Sequence, residues 1–170
     1  QGALNGATLS TAWIDDHGGR GLAFDGSASY VDFDDVFDGE RDWSILIKFR
    51  RRATGTRHDL ISKEGSGASG YEMSISSGNT AEFGCFGGGS YSNAQTTSTI
   101  TDTSRIYHLA GVRNAAAGTI KIFLDAKEEG SASAGSPIDI NSSPLRVGSR
   151  PNNSNWANVV IYDLKMFNRA

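Results

Sequence analysis

Apolar and polar residues alternate with a period of two in six segments of this chain: Tyr30 to Phe33, Trp43 to Phe49, Tyr71 to Ile75, Ile106 to Val112, Thr119 to Leu124 and Val159 to Phe167. A period of two sends successive side chains to opposite faces of an extended backbone, so each segment reads as a strand with one face toward a core. Between them lie clusters of Gly, Ser, Asn and Asp, which favour turns because they tolerate positive φ or bond to their own backbone. No window of helical length carries apolar residues at i, i+3, i+4 and i+7. The pattern predicts an all-β chain without significant helix, folded as a sandwich of two antiparallel sheets with about 11–13 strands.

With 170 residues, 38% of them hydrophobic, the chain can bury one substantial core, and residues 1–170 read as a single domain. The net charge of −3, from 16 basic and 19 acidic residues, leaves no electrostatic footprint for nucleic acid. Apolar stretches are strand-sized, so no membrane insertion is expected. Cys85 is the sole cysteine, which excludes an internal disulfide. Its place in the alternating run Ala81 to Phe86 makes it a small buried hydrophobe. Gln1 reads as a processed end or the start of an excised segment.

Several phrases in fixed order carry more information. Asn5-Gly6-Ala7, Leu22-Ala23-Phe24-Asp25-Gly26 and Tyr30-Val31 come first, then Tyr107-His108-Leu109-Ala110 and Asp125-Ala126-Lys127. Val147-Gly148-Ser149 and Phe167-Asn168-Arg169-Ala170 close the set. Together they resemble the laminin-G-like and pentraxin-like members of the concanavalin A-like lectin/glucanase superfamily. The resemblance implies a jelly roll and a binding or adhesion role, outside the cell, on its surface or on a virion. It also implies that the usual first strand, of the form Trp-x-Leu, is missing; either a neighbouring subunit or upstream chain supplies it by strand addition, or that outer strand is dispensable or was cut off. His108 matches the family's core-strand histidine. At Asp125-Ala126 the family's turn has Gly; because a residue with Cβ resists positive φ, a different turn type is expected here.

Family members often hold Ca²⁺ at the sandwich rim, so calcium is the expected cofactor. Asp25 is the position carried over from the matched Phe-Asp-Gly phrase, with Asp32 and Asp163 as partners. Tyr162 stands where the family often has a second acidic residue. The acidic run from Asp32 through Asp34, Asp35, Asp38 and Glu40 to Asp42 lacks the spacing of an EF-hand and reads as a solvated loop.

The candidate ligand or interface residues are basic and amide-bearing. Lys48, Arg50 and Arg52 share one face of a strand, with Arg57 beyond, and suit sulfated or uronic glycans, an acidic neighbour, or simple protection of a sheet edge. Asn152, Asn153 and Trp156 form a polar loop ending in an aromatic, which serves either sugar stacking or core filling. Asn141 and Asn152 begin N-glycosylation patterns, and Thr96 to Thr103 reads as a Ser/Thr-rich surface. The Glu-x-Asp-x-x-Glu strand of related glycosidases is absent, and Glu64, Glu72 and Glu82 stand isolated in the sequence, so no enzyme is expected. The reading is a non-catalytic module for a glycan or partner protein. The alternative is a self-assembling subunit of a fibre, filament or virion, and a fragment of a polysaccharide-active enzyme comes third.

Overall fold

The computed structural model describes residues 3–5, 12–38, 41–65, 69–134 and 138–170. Gln1, Gly6, Ala7 and Glu40 lie outside the described residues. The first sheet runs β1 (Ala3–Asn5), β4 (Tyr30–Asp32), β13 (Arg146–Val147), β6 (His58–Ser62), β7 (Tyr71–Ile75), β8 (Thr80–Gly87), β9 (Ser90–Thr99). The second runs β12 (Lys127–Ser133), β11 (Thr119–Leu124), β10 (Ile106–Asn114), β5 (Trp43–Arg51), β14 (Val159–Phe167), β3 (Gly19–Ala23), β2 (Trp13–Asp16). Pairing is antiparallel in both, and the sheets stack as a sandwich, as the alternation predicts. The described strands number 14, against the 11–13 expected. The surplus lies in pieces such as β1 and β13, of three and two residues, too short to show a period.

Alternation places Ile45, Ile47 and Phe49 of β5 and Ile120 and Ile122 of β11 against Met73, Ile75 and Phe83 of the opposite sheet. Trp43 anchors this layer, with ring centroids 4.5 Å from Tyr71 and 5.1 Å from Phe83. Burying each such side chain stabilises the fold by about 1.5–3 kcal/mol, which makes the facing layers the main source of cohesion. Cys85 is buried, as its alternation implies.

Three local expectations are corrected. His108 is an exposed residue rather than a core one, because Tyr107 and Leu109 take the inward positions of β10. The Asp125-Ala126 turn does use positive φ, at 50° and 68°, the geometry of a tight hairpin whose twist matches its strands. Asp125 is held there by its N–H donating to the His108 carbonyl (2.8 Å) and its carboxylate accepting from the His108 N–H (2.9 Å). Finally, Thr96 is buried within β9, where its hydroxyl accepts the Ala81 N–H at 2.9 Å, so part of the Ser/Thr-rich segment is sheet.

Candidate functional site

Because Tyr71, Met73 and Ile75 of β7 face the core, Glu72 and Ser74 point to the outer face of the first sheet. The same parity in β8 and β9 turns Glu82, Gly84 and Phe86 outward beside Tyr91, Asn93 and Gln95. The register sets Glu72 opposite Gly84 and Ser74 opposite Glu82. Tyr91 lies across Gly84, where a Cβ would stand 2.2 Å from the phenolic oxygen. Only glycine therefore lets the Tyr91 hydroxyl donate to Glu72 Oε1, at 2.7 Å.

Two arginines organise the acids around them. Arg57, just before β6, donates to Asp59 Oδ1 (3.0 Å), Glu82 Oε2 (2.8 Å), Ser74 Oγ (2.9 Å) and Glu72 Oε1. Arg150 enters from the loop after β13 and donates to Asp59 Oδ2 (3.0 Å), Glu72 Oε2 (2.6 Å) and Glu64 Oε1 (3.1 Å). Asp59 and Glu72 are almost wholly buried, whereas Arg57 and Arg150 keep 29% and 19% of their side chains exposed. The network thus has a buried floor and a solvent-facing rim. Burial works against the charge on both arginines, but the surrounding carboxylates outweigh it and raise their pKa values above the ordinary arginine range.

Glu64 and Glu72 form a carboxyl pair. Both reach the same Arg150 Nη2, at 3.0 and 2.6 Å. Burial first, and then the charge of Glu72, push the Glu64 pKa up to about 7. Burial also works against charge on Glu72, but Arg57 and Arg150 overcome it and lower its pKa. Glu64 is therefore the partner that carries the proton. Above the network lies a groove of ≈ 430 Å³, with Phe86 and Tyr91 on one wall and Asn155 on another. It adjoins a second hollow of ≈ 290 Å³ that shares Glu64 and Arg150 and reaches Asn152. The two rings meet at 4.9 Å between centroids.

Of the expected ligand residues, Arg57 and Asn152 line this region. Asn153 accepts from Arg146 at 2.7 Å, and Trp156 is half-buried against Tyr30, with centroids 5.8 Å apart. Lys48, Arg50 and Arg52 lie on the other sheet, committed to internal partners. Lys48 donates to the Gly18 carbonyl (3.0 Å), Arg50 pairs with Asp16 (2.7 Å), and Arg52 donates to the Phe24 carbonyl (3.3 Å). Tyr162 completes that cluster by donating to Asp16 Oδ1 at 2.7 Å while accepting from Arg50 Nε at 3.2 Å. Asn141 uses its amide to donate to the Lys63 carbonyl (2.9 Å), whereas Asn152 is exposed.

The calcium residues do not meet. Asp25 Oδ1 accepts the N–H groups of Ser27, Ala28 and Ser29 and the Ser29 hydroxyl. These bonds outweigh burial and lower its pKa, so Asp25 organises its own turn. Asp32 is paired with Arg146 at 2.9 Å and Asp163 with Lys165. Among the described residues no group of three or more His, Cys, Asp or Glu side chains is placed to hold a metal ion. The acidic run is partly engaged as well, since the buried Lys63 ammonium contacts Asp35 and Asp38.

The sequence reading missed the acidic half of the site. Glu64, Glu72 and Glu82, isolated in sequence, converge on Arg57 and Arg150. Alternation within β7 and β8 marks Glu72 and Glu82 as outward-facing, but only the strand order makes them neighbours.

Among solved structures, domain 4 of an extracellular arabinanase from Geobacillus stearothermophilus, in complex with arabinotriose, is similar at a TM-score of 0.73 and 17% identity. That match covers 97% of this chain and 77% of the arabinanase domain. Domains LG4-5 of the mouse laminin alpha1 chain give a TM-score of 0.68 at 16% identity over 88% of this chain. The binding domain of botulinum neurotoxin DC, in complex with SialylT, gives 0.70 at 15% over 99%. This chain spans 43% of the laminin structure and 43% of the toxin structure. No curated protein matches it in sequence. The described residues include no helix long and apolar enough to cross a membrane. The laminin-G profile described as Concanavalin A-like lectin/glucanases superfamily matches residues 25–170, and with two seven-stranded antiparallel sheets in the sandwich the chain belongs to that superfamily.

Proposed function

We propose that this chain is a non-catalytic, extracellular or surface-displayed carbohydrate-binding module, and that the groove over Glu72, Tyr91 and Arg150 takes an uncharged glycan. The observation that carries the reading is the balance of charge in the groove. Its two guanidinium groups already face four carboxyl groups, Asp59, Glu64, Glu72 and Glu82, so a sulfated or uronic sugar finds no free cation. Neutral sugars instead bring hydroxyl donors to carboxylates and amides held in fixed orientation, while Phe86 and Tyr91 offer apolar surface to a sugar ring. The arabinotriose complex of a similar structure supports an uncharged carbohydrate ligand.

The carboxyl pair argues against glycoside hydrolysis. That chemistry places its two acids about 5 Å apart or more, with the sugar between them. Here Glu64 and Glu72 both contact one nitrogen of Arg150, whose guanidinium takes the place a sugar would need between them.

Binding to a panel of neutral, sulfated and uronate-bearing oligosaccharides, followed by titration calorimetry, tests the proposal. Neutral glycans should bind, with at least a ~10-fold loss in Tyr91→Ala, whose phenol adjoins the groove. A panel won by sulfated or uronic glycans would overturn the reading.

A further inference from the structure

Arg51 ends β5 with its side chain turned inward, in line with Ile47 and Phe49 and opposite the core residue Val159, and none of its surface is exposed. Arg57 and Arg150 each face three carboxylates, whereas Arg51 pairs with none among the described residues. Its Nη1 donates to Asn79 Oδ1 (2.8 Å) and to the Ile100 carbonyl (2.7 Å), which fixes the plane of the guanidinium. The other edge, Nε and Nη2, is shut off from solvent and has no acceptor among the described residues. That edge is the fork with which arginine holds an anion at two points. Burial works against the charge of Arg51, yet a guanidinium does not give up its proton inside a protein. A buried cation without a counter-charge is strongly destabilising.

His58 stands at the same end of the sandwich on the facing sheet. It opens β6 opposite the core residue Ile75, so it too points inward, and only 2% of it is exposed. Backbone bonds bring the two positions together. The N–H of Arg52 donates to the Asn158 carbonyl and that of Asp59 to the Asn155 carbonyl, both at 2.9 Å, so one crossing segment, residues 155–158, serves both strands. Asn79 Oδ1, which holds Arg51, also accepts the Gly55 N–H (3.1 Å) from the loop that carries Thr56. Thr56 Oγ1 in turn lies 2.9 Å from His58 Nε2. With the hydroxyl as donor there, the ring proton sits on Nδ1, and Nδ1 has no acceptor among the described residues either.

We propose that the space between Arg51 and His58 binds a small monovalent anion of the halide class, held by Arg51 Nε and Nη2 and by His58 Nδ1. One guanidinium beside a neutral imidazole calls for a single negative charge. A halide accepts from all three donors and brings no proton of its own. A water molecule could accept from only two of them, and its own two hydrogens would need acceptors here. The ion would tie β5 to β6 across the sandwich, so its presence is read in stability, independently of the groove on the outer face.

Urea unfolding tests this, with sodium bromide or chloride exchanged for sodium gluconate at constant ionic strength. The wild type should be stabilised along a saturable binding curve, its unfolding constant falling by up to ~10-fold between about 10 and 100 mM halide. Arg51→Met, which keeps an apolar stem of similar length, should lose the dependence. Arg50→Ala, which removes an exposed cation, should keep it. Should Arg51→Met not fold, a bromide-soaked crystal of the wild type gives a second readout, an anomalous peak within hydrogen-bond reach of Arg51 Nε and Nη2. A wild type indifferent to halide at constant ionic strength would overturn the proposal. So would an Arg51→Met variant as halide-dependent as the wild type, or bromide found at the surface only.

Discussion

The two outer faces of the sandwich use arginine, carboxylate and tyrosine to opposite ends. On the second sheet, Arg50, Asp16 and Tyr162 form a compact knot that ties the β2–β3 hairpin to β5 and β14. Tyr162 lies so close over Gly18 that a Cβ there would stand 2.4 Å from its ring. On the first sheet, Arg57, Arg150, Glu72 and Tyr91 use the same kinds of group but surround a groove. The difference is depth and connectivity. Arg50 has one carboxylate partner, whereas each arginine of the groove bridges three. Charge density along the chain therefore does not locate a site; a rigid network with an open side does.

The comparison is most severely tested by removing one arginine from each face. Arg57→Ala leaves Asp59 and Glu72 buried without a principal counter-charge and should cost about 3–5 kcal/mol in urea unfolding. Arg50→Ala should cost about 1 kcal/mol or less, because its single ion pair is more accessible to water. Equal losses would erase the distinction between the two faces.

The pH dependence of stability sharpens it. Glu64 keeps its proton to about pH 7 when folded, against 4.5 as a free side chain, so over that interval the folded state binds more protons and stability falls as pH rises. His58 acts in reverse. Burial first, with the charge of Arg51 second, lowers its pKa from 6.5 to about 4, so stability is lost as pH falls between those values. Where the intervals overlap the two slopes oppose each other. Glu64→Gln should unmask a rise in stability with pH up to about 6.5, by about 1 kcal/mol per pH unit, and His58→Gln should unmask a fall. Denaturant melts at closely spaced pH values would read this, and a flat profile in both variants would contradict the assignments.

Smaller effects follow at the second face. Tyr162→Phe removes the hydroxyl that joins Asp16 to Arg50 and should cost about 1 kcal/mol, with no change in glycan affinity. Smallest of all, adding Ca²⁺ after chelation should move the melting temperature by less than about 1 °C. A rise of several degrees would mean that Asp25, Asp32 or Asp163 leaves its present partners for the ion.

How much was legible follows from the range of each interaction. The core strands β5, β7, β10, β11 and β14 declared themselves because alternation is local and burial rewards it at every second residue. The same parity marks Glu72 and Glu82 as outward-facing. Errors arose where a local rule met a longer-range partner. The positive φ at Asp125 and Ala126 is held by bonds to His108, which the turn's own residues do not announce. At Asp25 the partners are local instead, since its Oδ1 accepts four bonds from donors within four residues of itself.

The sequence by itself determined the all-β class, the inward and outward parity of its strands, and the burial of Cys85, because these depend on spacing along one strand. Tertiary structure alone decided which charges meet. Arg150 lies 91 residues from Asp59, 86 from Glu64 and 78 from Glu72, and no local pattern encodes that encounter.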